Sequence, residues 1–191
     1  MAARLRASGL SVVATREPGG APGAEVLRRL LVEDPPSPGW EPLSEALLHY
    51  AARNEHVHKT IAPALAEGAW VVCDRFADST AAYQGAGLAL TADALESLRR
   101  LVLRGFHPDL VLLLDLSPEE GLARAAARSG RTDRYESQDI GFHRRVRAAF
   151  REIAEADPAR YTIIDAAAGP AAVHDSVRSA VEARLGVLLP A

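Results

Sequence analysis

Four short apolar runs, each uninterrupted and followed by polar residues or a turn, constrain this chain more than any other feature. They are Ser11-Val12-Val13-Ala14-Thr15, Trp70-Val71-Val72-Cys73-Asp74, Leu110-Val111-Leu112-Leu113-Leu114-Asp115 and Tyr161-Thr162-Ile163-Ile164-Asp165. Continuous runs of this kind predict strands buried on both faces. Helical patterns lie between them, over 24–32, 42–66, 91–103, 118–128, 138–156 and 170–185, with Pro63 expected to kink or break the second. Ser117-Pro118-Glu119-Glu120 has the form of a capping box. Strand alternating with helix implies an α/β fold: a three-layer parallel sheet with helices on both faces. Such sheets bind ligands beyond the carboxyl ends of their strands. Here those ends carry Arg16-Glu17, Asp74-Arg75 and Asp115.

The 191 residues suit one domain, 1–191, with a proper core. A net charge of -3 argues against nucleic-acid binding by bulk charge. The one cysteine, Cys73, excludes a disulfide framework within the chain. No apolar run reaches the roughly 18–20 residues of a membrane helix. Residues 1–9 lack the apolar segment of a signal peptide, so the expected compartment is the cytoplasm. Lys59 is the only lysine among 22 basic residues. Arginine is the forked donor suited to phosphate, although a GC-rich genome accounts for an arginine bias equally well.

Several constellations sit where chemistry is expected. Asp74-Arg75 follows a strand, where a carboxylate can take Mg²⁺ and an arginine can grip phosphate, or the two can form a structural ion pair. Arg16-Glu17-Pro18-Gly19-Gly20 is a turn whose glycines allow close backbone approach and whose proline can be cis. His49 and Arg53 are four apart within a helix and share a face, so a ring beside a guanidinium could hold a flat base. Ser79-Thr80-Ala81-Ala82-Tyr83-Gln84 gathers hydroxyl, amide and phenol groups, which can read a base and sugar or simply cap a helix. Arg124, Arg128, Arg131 and Arg134 surround a polar break that suits either a lid over a polyphosphate or a solvated loop.

Taken in this order, the motifs resemble the thymidylate kinase family of nucleoside monophosphate kinases. The matching residues are Thr15-Arg16-Glu17-Pro18-Gly19-Gly20, Tyr50-Ala51-Ala52-Arg53, Asp74-Arg75 with Ser79-Thr80-Ala81-Ala82-Tyr83-Gln84-Gly85, Pro108-Asp109-Leu110, Leu113-Leu114-Asp115 and Asp133-Arg134-Tyr135-Glu136. The resemblance implies a P-loop kinase fold and transfer of the γ-phosphoryl of ATP to dTMP, with Mg²⁺. It implies that Arg53 hydrogen-bonds the thymine and that Thr80 and Gln84 read its edge, with Ser79 supporting the loop. His49 stands where the family has a Phe stacked on the base. Tyr83 would lie against the sugar and disfavour a 2'-hydroxyl. Glu17 and Pro18 would shape the monophosphate pocket, Arg75 would bind the phosphate, and Asp74 would help place Mg²⁺. Arg128, Arg131 and Arg134 would be lid arginines in a segment at about 129–137. A homodimer through a helical face is also implied, with the helix from Pro42 and the segment 91–103 contributing.

The family begins with a strand, a GxxxxGK[ST] loop and a helix, and this sequence contains no such loop. Residues 1–8 read as the end of that helix, with Gly9 as its cap. The expectation is therefore that the first strand and P-loop lie upstream, in roughly 20 further residues. In the family's strand order, 2-3-1-4-5, the first strand is central. Without the loop, the chain is not expected to be a stable, active kinase alone. Two alternatives stand: an inactive nucleotide-binding or interaction module, and another nucleoside monophosphate or deoxynucleoside kinase.

Overall fold

The protein is described by a computed structural model that covers residues 1–33, 35–37, 39–129 and 134–190, with side chains at all of these except 128 and 129. Its contacts divide it into two compact units. One runs from Met1 to His107 and takes in the end of the chain from Leu188; the other is Pro108–Val187.

The first unit opens with a short helix, α1 (Ala2–Ala7), packed on strand β1 (Val12–Arg16). Strand β2 (Trp70–Asp74) runs parallel to β1, with Val12 opposite Trp70 and Arg16 opposite Asp74. Between the strands come α2 (Pro22–Arg28), which ends in a π-helical turn over Arg29–Glu33, and α3 (Pro42–His56). The path continues through a π-helical turn (Val57–Ile61) into α4 (Ala62–Ala66). Pro63 does not end the helical path. It falls in the first turn of α4, where its missing N–H costs little, immediately after the π turn. After β2 come α5 (Ala77–Thr80), a third π-helical stretch (Ala81–Gly87) and α6 (Ala92–Leu103), capped by the Thr91 hydroxyl on the Ala94 N–H.

Among the described residues, two apolar clusters help to hold this unit. Val57, Ile61, Ala77 and Leu103 pack with Val71, Phe76, Val102 and Phe106. Ala21, Ala24 and Ala52 let α2 approach α3 closely.

The second unit pairs β3 (Val111–Asp115) with β4 (Tyr161–Asp165), again parallel. Helix α7 (Pro118–Ser129) starts with Glu120 N–H on the Ser117 hydroxyl, as the capping pattern implies. Helix α8 (Ile140–Ala156) is capped by Asp139 and packs on both strands, burying Phe142, Val146 and Ala154. Helix α9 (Pro170–Leu185) packs on β4.

The parallel α/β class is thus present. Among the described residues the strands pair as β1–β2 and β3–β4. One expectation is corrected: the strands are not buried on both faces. Ala14, Leu114 and Ile163 are exposed, whereas Ile164, next to Ile163, is buried. Successive strand residues face opposite sides. Leu114 pairs in register with the buried Ile164, and Ile163 with Leu113, so the two exposed residues lie on opposite faces of the pair, and cover is incomplete on each face even where the sequence is apolar throughout.

Candidate functional site

The first unit brings together the tips of both its strands. The Glu17 N–H donates to the Asp74 carbonyl at 2.9 Å, so the chain leaving β1 stays tied to the end of β2. The turn that follows contains a cis Glu17–Pro18 peptide and positive φ at Gly19 and Gly20. Helix α2 grips this turn: the Gly20 N–H donates to Glu25 Oε1 (2.8 Å) and Arg28 donates to the Pro18 carbonyl (2.7 Å). The Thr60 hydroxyl donates to the Gly20 carbonyl at 2.6 Å. Only glycine serves at position 20, because a Cβ there would lie 2.4 Å from both His56 Nε2 and Thr15 Oγ1.

Helix α3 supplies the other wall. Glu45, Arg53 and His56 are all buried on it, and His49 is half-buried one turn before Arg53. Arg53 is 2% exposed. Its Nε donates to Glu17 Oε2 at 2.8 Å, and its Nη2 to the Thr80 hydroxyl (3.1 Å) and the Phe76 carbonyl (3.2 Å). The guanidinium carbon lies 4.7 Å from the Tyr50 ring centroid and 5.5 Å from that of Phe76. Burial pushes the Tyr50 hydroxyl pKa upward against the pull of Arg53. Arg53 Nη1 is buried and has no hydrogen-bond partner among the described residues. Such a donor is costly unless something accepts from it.

Thr80 and Gln84, expected to read a base edge, are both 1% exposed. Thr80 accepts from Arg53, and Gln84 Nε2 donates to Glu45 Oε1 at 2.7 Å. Each is built into the wall by its hydrogen bonds. Ser79 is half-buried on α5. Asp74 and Arg75 are exposed at the end of β2, and Arg75 takes a left-handed backbone, φ +68°. Its guanidinium carbon lies 5.3 Å from the Tyr83 ring centroid. The Cys73 thiol donates to the Arg75 carbonyl at 3.1 Å, and its pKa is pushed up to about 12 by burial, then by Glu17 and Asp74. The buried end thus presents a planar donor among aromatic rings, and the open end an arginine beside a carboxylate.

ATP and Mg²⁺ are the expected ligands of the described residues. No group of three or more His, Cys, Asp or Glu gathers into a metal site among them. Mg²⁺ commonly takes one or two protein carboxylates and completes its shell with phosphate and water, so the single carboxylate of Asp74 suits a metal arriving with a nucleotide.

In the second unit, Asp115 at the end of β3 accepts from Arg147 Nε and Nη2 (2.7 and 2.9 Å) and from Arg151 Nη1 (2.8 Å). These bonds, Arg147's first, hold its carboxyl below the usual range. The three residues line an open cavity of about 420 Å³, with Ser117 and Asp165 also on its wall. Arg134 lies in a turn, 5.7 Å from the Tyr135 ring centroid. Of the expected lid, residues 130–133, and so Arg131, lie outside the described residues, as does the side chain of Arg128. Sequence reasoning gave no role to Thr15 and missed Glu25, Glu45 and His56. The spacing of Glu45, His49, Arg53 and His56, by four, four and three, was a signal that they share one helical face.

A family model described as thymidylate kinase matches residues 1–177. The thymidylate kinase of Caulobacter vibrioides is 50% identical over 187 residues, covering 98% of this chain and 89% of its own. That of Bradyrhizobium sp. strain BTAi1 is 49% identical, covering 97% and 82%. Among solved structures, the thymidylate kinase of Ehrlichia chaffeensis superposes with a TM-score of 0.71 at 32% identity, over 90% of this chain and 81% of its own. These matches run almost from end to end of the chain and give no support to the alternative of an inactive module.

Proposed function

The chain belongs to the thymidylate kinase family and is a phosphotransferase, and on that footing we propose that it transfers the γ-phosphoryl of ATP to dTMP, giving dTDP for dTTP synthesis. One observation supports the choice of acceptor above the rest. The buried guanidinium of Arg53 is held on three sides, stacked near two aromatic rings, and keeps Nη1 unused. A pyrimidine carbonyl supplies the acceptor that this donor lacks.

In this reading the side chains divide the work. Arg53 binds the base, His49 stacks on it, and Thr80, Gln84 and Ser79 hold the wall. Tyr83 lies against the deoxyribose and leaves no room for a 2'-hydroxyl. Glu17 and Pro18 shape the floor, and Arg75 takes the monophosphate in charge-assisted hydrogen bonds. Asp74 would hold a Mg²⁺ whose charge offsets that of the phosphates. Arg128, Arg131 and Arg134 would close on the transferring group and exclude water. A dTMP phosphate oxygen, already anionic, attacks in line, so positioning and charge neutralisation suffice and no side-chain base is required.

A homodimer is part of the proposal. Leu43 and Leu47 on α3 and Leu101 on α6 are exposed, and α3 packs on α6. The cytoplasm, where ATP and dTMP are found, is the proposed compartment. No described helix is long and apolar enough to cross a membrane.

Calorimetric titration with dTMP, thymidine, dUMP and dGMP tests the reading, followed by a coupled assay with saturating Mg·ATP. The expected order places dTMP first in both. No measurable affinity for dTMP in folded protein would overturn the reading, and preference for another monophosphate would reassign the acceptor.

A further inference from the structure

One buried residue that the proposed reaction does not use ties the end of β1 to the Arg53–Glu17 pair. His56 is fully buried. Its Nδ1 lies 3.1 Å from Glu17 Oε1, and its Nε2 lies 2.7 Å from Thr15 Oγ1. Gly20 passes so close that no side chain fits between. Glu17 in turn accepts from Arg53 through its other oxygen. The chain of contacts therefore runs from the end of β1, through the imidazole and the carboxylate, to the guanidinium.

The polarity of this chain follows from its members. A carboxylate only accepts, so Nδ1 must carry the hydrogen it shares with Glu17. On the other side of the ring, Nε2 shares a hydrogen bond with the Thr15 hydroxyl. Each group is fixed by the next. A carboxylate facing Arg53 alone could rotate about its own axis, whereas a second donor on its other oxygen removes that freedom. The plane of Glu17 sets the direction of Arg53 Nε–H, and hence where Nη1 points.

From this geometry we infer that His56 is a positioning residue for base recognition: through Nδ1–H it orients Glu17, which orients Arg53 toward the pyrimidine. The inference rests on the acceptor reading above and adds a residue that never touches substrate. It separates His56 from a residue that merely fills the core, because its effect depends on one nitrogen and not on volume.

Two substitutions separate the nitrogens. His56→Asn places an amide N–H near the position of Nδ1, and His56→Gln places one near Nε2. His56→Asn is expected to retain dTMP affinity within about threefold of wild type. His56→Gln leaves a buried carboxylate oxygen without its donor, and should weaken dTMP about tenfold. Thymidine binding should fall in parallel, because the defect sits at the base and not at the phosphate. Equal losses in both variants, at equal thermal stability, would overturn the inference, as would a loss for dTMP alone.

If His56→Gln does not fold, Thr15→Val reads the same link from its other end. Removing the hydroxyl leaves Nδ1 on Glu17, so dTMP affinity should stay within about threefold of wild type, and a loss of tenfold or more would overturn the inference. Absence of dTMP binding in the wild-type chain would overturn both this inference and the reading beneath it. Normal wild-type binding with no difference between Asn and Gln would overturn this inference alone.

Discussion

Arg53 and Glu17 form an ion pair at 2.8 Å in which neither side chain is more than 4% exposed, although 36 residues separate them in sequence. Breaking such a pair by removing one charge leaves the other buried and uncompensated. Glu17→Gln keeps the shape and removes the charge, so it should cost on the order of 3–5 kcal/mol of stability in urea unfolding. A cost below about 1 kcal/mol would mean that the guanidinium finds other partners.

Arg75 stands at the exposed end of the same site, so its removal should act on a different part of the ligand. Arg75→Ala is expected to weaken dTMP by about ten- to a hundredfold, the range of a charge-assisted hydrogen bond. Thymidine, which has no phosphate, should bind almost as before. Calorimetry on both ligands checks this, and equal weakening would remove Arg75 from the phosphate.

How much of this was legible beforehand depends on the range of the interaction. The strands were readable to within a residue, because a continuous apolar run needs no distant partner to be recognised: the run 70–74 is β2 and the run 161–165 is β4. Helix ends with local caps, at Thr91 and Ser117, were equally readable. Glu45 and His56 were not. A glutamate or histidine on a helix reads as surface, and what buries these two is Gln84 and Glu17, each 39 residues away. The exposure of Leu114 was hidden for the opposite reason, since nothing local in an apolar run says which of its residues will be covered.

Asp115 gives a pH signature in the second unit. Its folded-state pKa lies below the ordinary value near 4, so the unfolded chain binds more protons in that range. The stabilisation is complete above the unfolded pKa and is lost as the pH falls through the lower folded value. Asp115→Asn should cost about 1 kcal/mol at pH 7, because both arginines are part-exposed. The gap between wild type and variant in chemical unfolding should close below about pH 4.

Cys73 should be a slow thiol. With its pKa near 12, the thiolate at pH 8 is scarcer than in a free cysteine by about three powers of ten, and alkylation slows accordingly. Reaction with iodoacetamide, followed by mass, should be slow in the native protein and fast in urea. Equal rates would show that the thiol is not protected.

The exposed leucines of α3 and α6 make the proposed dimer testable. Leu47→Glu combined with Leu101→Glu places charges on a face that is 49% and 69% exposed at those residues in the single chain. Sedimentation should show a dimer for wild type and a monomer for the double variant, with the fold of each chain unchanged. A wild-type monomer would remove the dimer from the proposal.

Arg75 carries a conflict in its own backbone. A φ of +68° is a conformation that glycine adopts freely and that costs an L-residue roughly 1–2 kcal/mol. A search for hardier versions of this protein would favour glycine at that position, and each such gain would delete the cation that the proposed reaction sets against the acceptor's phosphate. The strand tip is therefore a place where selecting for robustness and selecting for turnover pull in opposite directions.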